Sequence, residues 1–259
     1  MEEILKQFAS GKIDIEEACK ELKLEGVRRV KDFARIDVNR LYRTSIPEII
    51  FAERKNSADV ADIAVALATT KNFALISRAR AKDVAEIKKL LKKQKDEFEI
   101  DYHAVAKTII VKKRGYEFEK TGKIGLIAAG TADIPIAEEA RVVAEACGCE
   151  VIKAYDVGIA GIHRLVEPLE AIINEGVAAL IVVAGMEGAL PSVVASLVNV
   201  PVIGVPTSVG YGLGGRGVAA LLSMLQSCSP GLAVVNIDNG VGAGTFAAKC
   251  ACRKELKRP

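Results

Sequence analysis

In the second half of the chain the apolar positions fall in short unbroken runs, at 124–129, 151–154, 179–184, 202–205 and 233–235, each bounded by Gly, Pro or Asp. Unbroken runs of this length predict strands buried on both faces. Stretches with helical spacing follow at about 134–146, 162–174, 189–198, 216–226 and 241–250. Five strand–helix pairs in succession predict a five-stranded parallel sheet with right-handed crossovers, flanked by helices. Ligands of such sheets sit beyond the carboxyl ends of the strands, so the loops that follow them are the first place to look for chemistry.

The first half reads as a smaller mixed α/β domain. Asp14 can cap a helix through about Leu24, with Glu17 completing a capping-box-like pattern. Ser57 can cap another through Ala68, and 81–95 is amphipathic with a basic outer face. Apolar runs at 48–51, 73–77 and 108–111 have strand length. The basic run Lys88, Lys89, Lys92, Lys93 and Lys95 is followed by Asp96, Glu97 and Glu99, which favours a solvated helix face over a phosphate patch.

Composition sets the boundary. Of 69 charged residues, 47 lie in 1–121, whereas 19 of the 22 glycines lie in 122–244. The expected domains are therefore 1–121 and 122–259. Lys plus Arg is 36 and Asp plus Glu 33, a net charge of +3, which lacks the basic excess of a nucleic-acid binder. With no Trp and 5% aromatics, stacking platforms for single strands are few. The acidic start Met1-Glu2-Glu3 is not a signal peptide. The apolar run nearest membrane length, 177–186, is about half the roughly 18 residues a span needs. A cytoplasmic protein without membrane or nucleic-acid partners is expected. The pairs Cys147/Cys149 and Cys250/Cys252 lack zinc-type spacing and nearby histidines, and read as packed thiols.

The loops carry the candidate chemistry. After the first strand, Gly130, Thr131 and Asp133 precede Pro135; this is either a phosphate-binding helix start or an Asp-capped helix, and both readings stay open. After the second, Asp156 leads to His163 and Arg164 in a first helical turn. There a histidine is placed for proton transfer, with a surface histidine as the alternative. After the third, Glu187 stands among Gly185, Met186 and Gly188, where a carboxylate can accept a substrate hydroxyl or hold a magnesium-bound water. After the fourth, Ser208 precedes Gly210, Gly212 and Gly215, a formal G-x-G-x-x-G. That fingerprint belongs directly after a first strand, so the glycines are read as a mobile lid or as room for substrate. After the fifth, Asp238 and Asn239 again place polar groups before a helix.

Taken together these loops resemble a known family. Residues 122–252 are similar to the aminoimidazole ribonucleotide carboxylase and mutase (PurE) family, through the Gly-Thr-x-Asp-x-Pro turn, His163-Arg164, and the run from Leu190-Pro191-Ser192 to Val205-Pro206. Over nearly the whole chain the closer resemblance is to the LarB family. It adds Arg43-Thr44-Ser45-Ile46-Pro47-Glu48, Gly185-Met186-Glu187-Gly188, Ser227-Cys228-Ser229-Pro230-Gly231 and Asn236-Ile237-Asp238-Asn239-Gly240. Two positions depart: Ser45, where Gly is expected, and Val241, where an aromatic is expected.

The resemblance implies a PurE-like, flavodoxin-like fold and carboxylation of nicotinic acid adenine dinucleotide at C5 of its pyridinium ring. Carbon dioxide would be the co-substrate. Hydrolysis of the phosphoanhydride would release AMP and pyridinium-3,5-biscarboxylic acid mononucleotide, on the route to a nickel-pincer cofactor. It implies Mg2+, with ligands unknown, and a homo-octamer with intersubunit sites. It also makes Cys228 the covalent nucleophile, with His163 and Glu187 as further catalytic groups. Gly130, Thr131, Asp133, Asp156, Arg164, Gly185, Met186, Gly188, Ser208, Gly210, Asp238 and Asn239 would bind substrate. Cys228 precedes the fifth strand, at the opposite end of the sheet from the loops, so a neighbouring protomer must supply it. Two other functions remain: carboxylation or mutation of aminoimidazole ribonucleotide, which needs no thiol, and a nucleotide sensor that has lost the chemistry.

Overall fold

A computed structural model describes residues 2–92 and 97–252. Lys93, Lys95 and Asp96, and with them the end of the helix expected over 81–95, lie outside the described residues. The chain separates into two compact units, one within residues 2–102 and 109–116, the other within 103–108 and 117–252.

The first unit opens with helices α1 (Glu2–Ala9) and α2 (Ile15–Glu25). Asp14 caps as the sequence predicts, its carboxylate accepting from the Glu17 N–H at 2.8 Å. An antiparallel hairpin, β1 (Val27–Val30) and β2 (Ala34–Asp37), and the short α3 (Arg40–Thr44) follow. Ser45 ends α3 in the left-handed region at φ 58°, which is the conformation that makes glycine the expected residue there. The rest is β3 (Ile49–Phe51), α4 (Ser57–Lys71), β4 (Phe73–Ser77), α5 (Ala81–Leu91), β5 (Phe98–His103) and β6 (Thr108–Lys113). The sheet order is β3-β4-β6-β5, with β3 and β4 parallel and β4 and β6 antiparallel. Its core is aliphatic, including Val60, Leu67, Ile76, Ile87 and Ile109. The cap expected at Ser57 belongs one residue earlier: Asn56 is the N-cap and Ser57 the first helical residue. Asp83 is fully buried. Burial alone would raise its carboxyl, but hydrogen bonds from Arg80 at 2.7–3.0 Å outweigh that and lower it.

The second unit matches its predicted pattern closely. Its strands are β7 (Gly122–Ala128), β8 (Cys149–Ala154), β9 (Leu180–Ala184), β10 (Val202–Pro206) and β11 (Leu232–Val234). They alternate with α6 (Ile134–Ala146), α7 (His163–Asn174), α8 (Leu190–Leu197), α9 (Val218–Leu225) and α10 (Gly240–Ala251). All four strand pairings are parallel, in the order β11-β10-β9-β7-β8. Counted from β7 this is 2-1-3-4-5, the flavodoxin-like order. Every residue of β9 and β10 is buried, which is why these strands show no apolar–polar alternation. Gly240 and Gly244 let α10 lie against α6: a Cβ on either would stand 2.7 or 2.6 Å from an α6 carbonyl oxygen. No described helix is long and apolar enough to cross a membrane.

Candidate active site

The strand order reverses between β7 and β9, and a parallel sheet opens a crevice at such a switch point, beyond the carboxyl ends of its strands. A cleft of about 420 Å³ lies there. Gly130, Thr131 and Asp133 line it from the loop after β7, Asp156, Gly158 and Arg164 from the loop after β8, and Gly185, Met186 and Glu187 from the loop after β9. Val209 adds the loop after β10, so four of the five predicted loops meet in one place.

Asp133 holds this end together. It is 4% exposed; one carboxylate oxygen accepts from the Gly130 N–H at 2.9 Å and the other from the Thr207 hydroxyl at 2.6 Å. Burial raises its carboxyl above the ordinary aspartate range, against the lowering effect of the Thr207, Gly130 and Gly185 hydrogen bonds. Asp133 lines the cleft, as the sequence reading placed it, and its two hydrogen bonds also position the β7 and β10 loops. The signal missed was its partner, Thr207, which is fully buried.

The loop after β9 is equally constrained. The Met186 N–H donates to the Val209 carbonyl at 2.8 Å. Met186 and Gly188 both adopt left-handed backbone, at φ 53° and 66°. A Cβ on Gly185 would stand 2.4 Å from the Val209 carbonyl oxygen, and one on Gly188 would stand 2.7 Å from Ala220 backbone atoms. Glu187 is thereby turned out, exposed, into the cleft. Opposite, Arg164 donates to the Asp156 carboxylate at 2.7 Å, with both groups partly solvated. Tyr155, just before Asp156, donates to Glu138 on α6, which also pairs with Arg141. Burial raises Glu138, but the Arg141 and Tyr155 hydrogen bonds outweigh it and bring the carboxyl down to about 2.

Other predicted residues lie elsewhere. His163 is exposed at the start of α7, next to Arg164 but outside the cleft lining. Ser208, Asp238 and Asn239 form a second cluster: the Ser208 N–H donates to Asp238 at 2.8 Å, and the Asn239 side chain accepts from the Gly242 N–H at 2.7 Å. A Cβ on Gly210 would meet Met186 at 3.6 Å, which puts Gly210 beside the cleft rim. Sequence reasoning missed the apolar wall, Ile159, Leu190 and Val209; these sit in or beside the same loops but carry no reactive group to mark them.

Cys228 is exposed and far from this cleft. Its turn is held by Ser229, whose N–H donates to the Ser227 hydroxyl at 3.1 Å and whose own hydroxyl donates to the Ser192 carbonyl at 2.8 Å. Gly231, at the end of the turn, accepts from the Val202 N–H at the amino end of β10. The cleft loops leave the other end, and four steps of a strand at 3.3 Å cover about 13 Å. Among the described residues no group of three or more His, Cys, Asp or Glu side chains is placed to hold a metal ion.

Residues 123–257, which hold this parallel sheet and its cleft, match the AIR carboxylase family, and the chain belongs to it. Residues 28–114 match the LarB/PurE-like N-terminal domain, so the two halves together give the LarB arrangement. A protein of Methanocaldococcus jannaschii, named only as uncharacterized, is 44% identical over 252 residues, 97% of this chain and 96% of its own length. The N5-carboxyaminoimidazole ribonucleotide mutase of the same organism is 36% identical over 135 residues, 51% of this chain and 80% of that enzyme. A probable mutase of that name from Methanothermobacter thermautotrophicus is 33% identical over 49% of this chain and 37% of its own length. These domains support a carboxylase-related, PurE-family function.

Proposed function

We propose that this protein carboxylates the pyridinium ring of nicotinic acid adenine dinucleotide with CO2 and hydrolyses its phosphoanhydride, releasing AMP and pyridinium-3,5-biscarboxylic acid mononucleotide. The observation that carries this reading is the exposed Cys228, held by two serines in a chain with the LarB domain pair. A pyridinium is electron-poor, and its C5 does not attack CO2 unaided. Addition of the Cys228 thiolate converts the ring to an enamine, and C5 then forms the bond to CO2. Loss of the C5 proton and departure of the thiolate restore the aromatic cation, so one hard step becomes several easier ones.

The cleft takes the dinucleotide. The N–H groups around Thr131 face its phosphates at the start of α6, and Arg164 adds charge. Glu187 takes the ring proton, with His163 at the start of α7 as the other candidate. Within one chain Cys228 does not reach this cleft, so a second copy supplies it. An exposed apolar stripe on α9 supports that: Val218, Leu222 and Leu225 are 48, 59 and 63% exposed on one helix face, three residues before Cys228. Such stripes mark interaction surfaces, and the assembly is a closed symmetric one, an octamer. The described residues do not build a magnesium cage, and no step here is routed through that ion.

Incubation with nicotinic acid adenine dinucleotide and bicarbonate, followed by mass spectrometry, tests the reading: a mononucleotide heavier by one carboxyl group, plus AMP, is expected. The mutase relatives favour a second reading, rearrangement of a carboxylated aminoimidazole ribonucleotide. That ring is already an enamine, so turnover of it would survive Cys228→Ser.

A further inference from the structure

Of the five thiols that the proposed chemistry does not use, three are brought together from distant parts of the sequence. Cys147 ends α6, Cys149 opens β8, and Cys252 ends α10. Gly122 lies between them: it pairs with Cys149 across β7 and β8, and a Cβ on it would stand 3.2 Å from that of Ala251. Thr121 touches the Cys149 sulfur through its hydroxyl at 3.7 Å. The Cys252 N–H still bonds the Ala248 carbonyl at 2.8 Å, so its position is fixed by the helix. The charges of Cys149 and Cys252 add to the burial that raises Cys147, and that of Cys252 adds to the burial that raises Cys149.

We propose that Cys252 and Cys149 close a reversible disulfide that fastens the end of α10 to the start of β8. The oxidant is a low-molecular-weight disulfide, RSSR. The thiolate of Cys252, which is half-buried and so reachable, attacks one of its sulfurs; a mixed disulfide forms and RS⁻ leaves. The Cys149 thiolate then attacks the Cys252 sulfur and expels the second RS⁻. The two protons lost by the cysteines end on two RSH, and two electrons pass from protein to reagent. Burial raises the Cys149 thiol as well, by less than it raises Cys147, and the Thr121 hydroxyl offsets part of that rise. Cys147 is the bystander, since burial pushes its thiol up to about 12 and only a thiolate exchanges. A thiolate-bound metal is the competing use of such a cluster, but these sulfurs are not arranged as ligands to one ion. The bridge joins residues more than a hundred positions apart, so it restricts the unfolded chain strongly. It also holds the end of α10, whose other end carries the Asp238–Asn239 loop.

The test is a thiol map of the full chain, independent of any enzymatic activity. The protein is equilibrated with oxidised or reduced glutathione, alkylated, digested and analysed by mass spectrometry. One intramolecular bridge, Cys149 to Cys252, is expected under oxidised glutathione, with an upward shift of the thermal midpoint that dithiothreitol reverses. Cys147→Ser keeps the bridge and Cys252→Ser removes both bridge and shift; should either variant fail to fold, the map of the unaltered chain decides. Alkylation of both Cys149 and Cys252 under oxidising conditions, or a bridge from either to another cysteine, overturns the proposal.

Discussion

At the carboxyl edge of the parallel sheet every loop is tied from within the chain. Asp133 spans from the Gly130 N–H to the Thr207 hydroxyl, Met186 bonds Val209, and Tyr155 and Arg141 hold Glu138 beneath the Asp156 loop. At the amino edge the turn before β11 is held by two serine contacts and points Cys228 into solvent, next to an uncovered apolar helix face. On the proposed function the first end binds the dinucleotide and lacks the nucleophile. The second end supplies the nucleophile and has no cleft. The proposal thus separates binding from covalent chemistry within one chain and joins them by assembly.

The largest effect follows from removing the nucleophile. Cys228→Ser is expected to lower carboxylation at least about a thousandfold while the dinucleotide still binds, because a covalent group is lost and the cleft is untouched. Single-turnover kinetics and calorimetric titration separate the two quantities. Near-normal turnover would remove the thiol from the mechanism. Next, a charge on the apolar stripe, Leu222→Glu, is expected to yield smaller species in sedimentation and to abolish turnover with binding retained. Full activity in a dispersed monomer would show that the two ends need no assembly.

Stability probes sharpen the other side of the comparison. Gly188→Ala forces a Cβ to within 2.7 Å of Ala220 backbone at φ 66°, and chemical denaturation should show a loss of about 2–3 kcal/mol. Asp133→Ala leaves the Gly130 N–H and the Thr207 hydroxyl unsatisfied, at a cost of roughly 2 kcal/mol, whereas Asp133→Asn should keep most of the stability. Glu138 titrates below its ordinary range, so it stabilises the fold at neutral pH, and that contribution is lost as pH falls toward about 2. Glu138→Gln should therefore be less stable at neutral pH, by an amount on the order of 2 kcal/mol. Its acid unfolding should be correspondingly shallower, as followed by circular dichroism.

Much of the second unit was legible because its strands are buried on both faces and its turns are marked by Gly and Pro: β9 and β10 read as unbroken apolar runs, and Pro135 and Pro191 mark helix starts. The first unit was less legible. The β1–β2 hairpin carries Arg28, Arg29 and Arg35, so only Val30 and Ile36 mark its buried face and no apolar run forms. In β5, Phe98, Ile100 and Tyr102 alternate with Glu99 and Asp101, a half-buried strand pattern, but Glu99 was read with the preceding lysines as a solvated helix face. In the site, sequence showed which loops matter but not the bonds within them: Asp133 and Asn239, read as ligand contacts, also satisfy backbone donors or loop partners. Ser45 is the opposite case. The expected glycine was a correct reading of the backbone, which is left-handed there, and Ser45→Gly should stabilise by up to about 1 kcal/mol.

The most direct test mixes two inactive proteins. Cys228→Ser keeps the cleft and loses the nucleophile; Arg164→Glu keeps the nucleophile and, by reversing charge in the cleft, loses the dinucleotide. Equal amounts are dissociated, reassociated together and assayed for the carboxylated mononucleotide. If each site draws its cleft from one protomer and its thiol from another, random mixing restores about a quarter of the wild-type rate. A mixture no more active than its two components would place cleft and thiol in the same protomer and contradict the account.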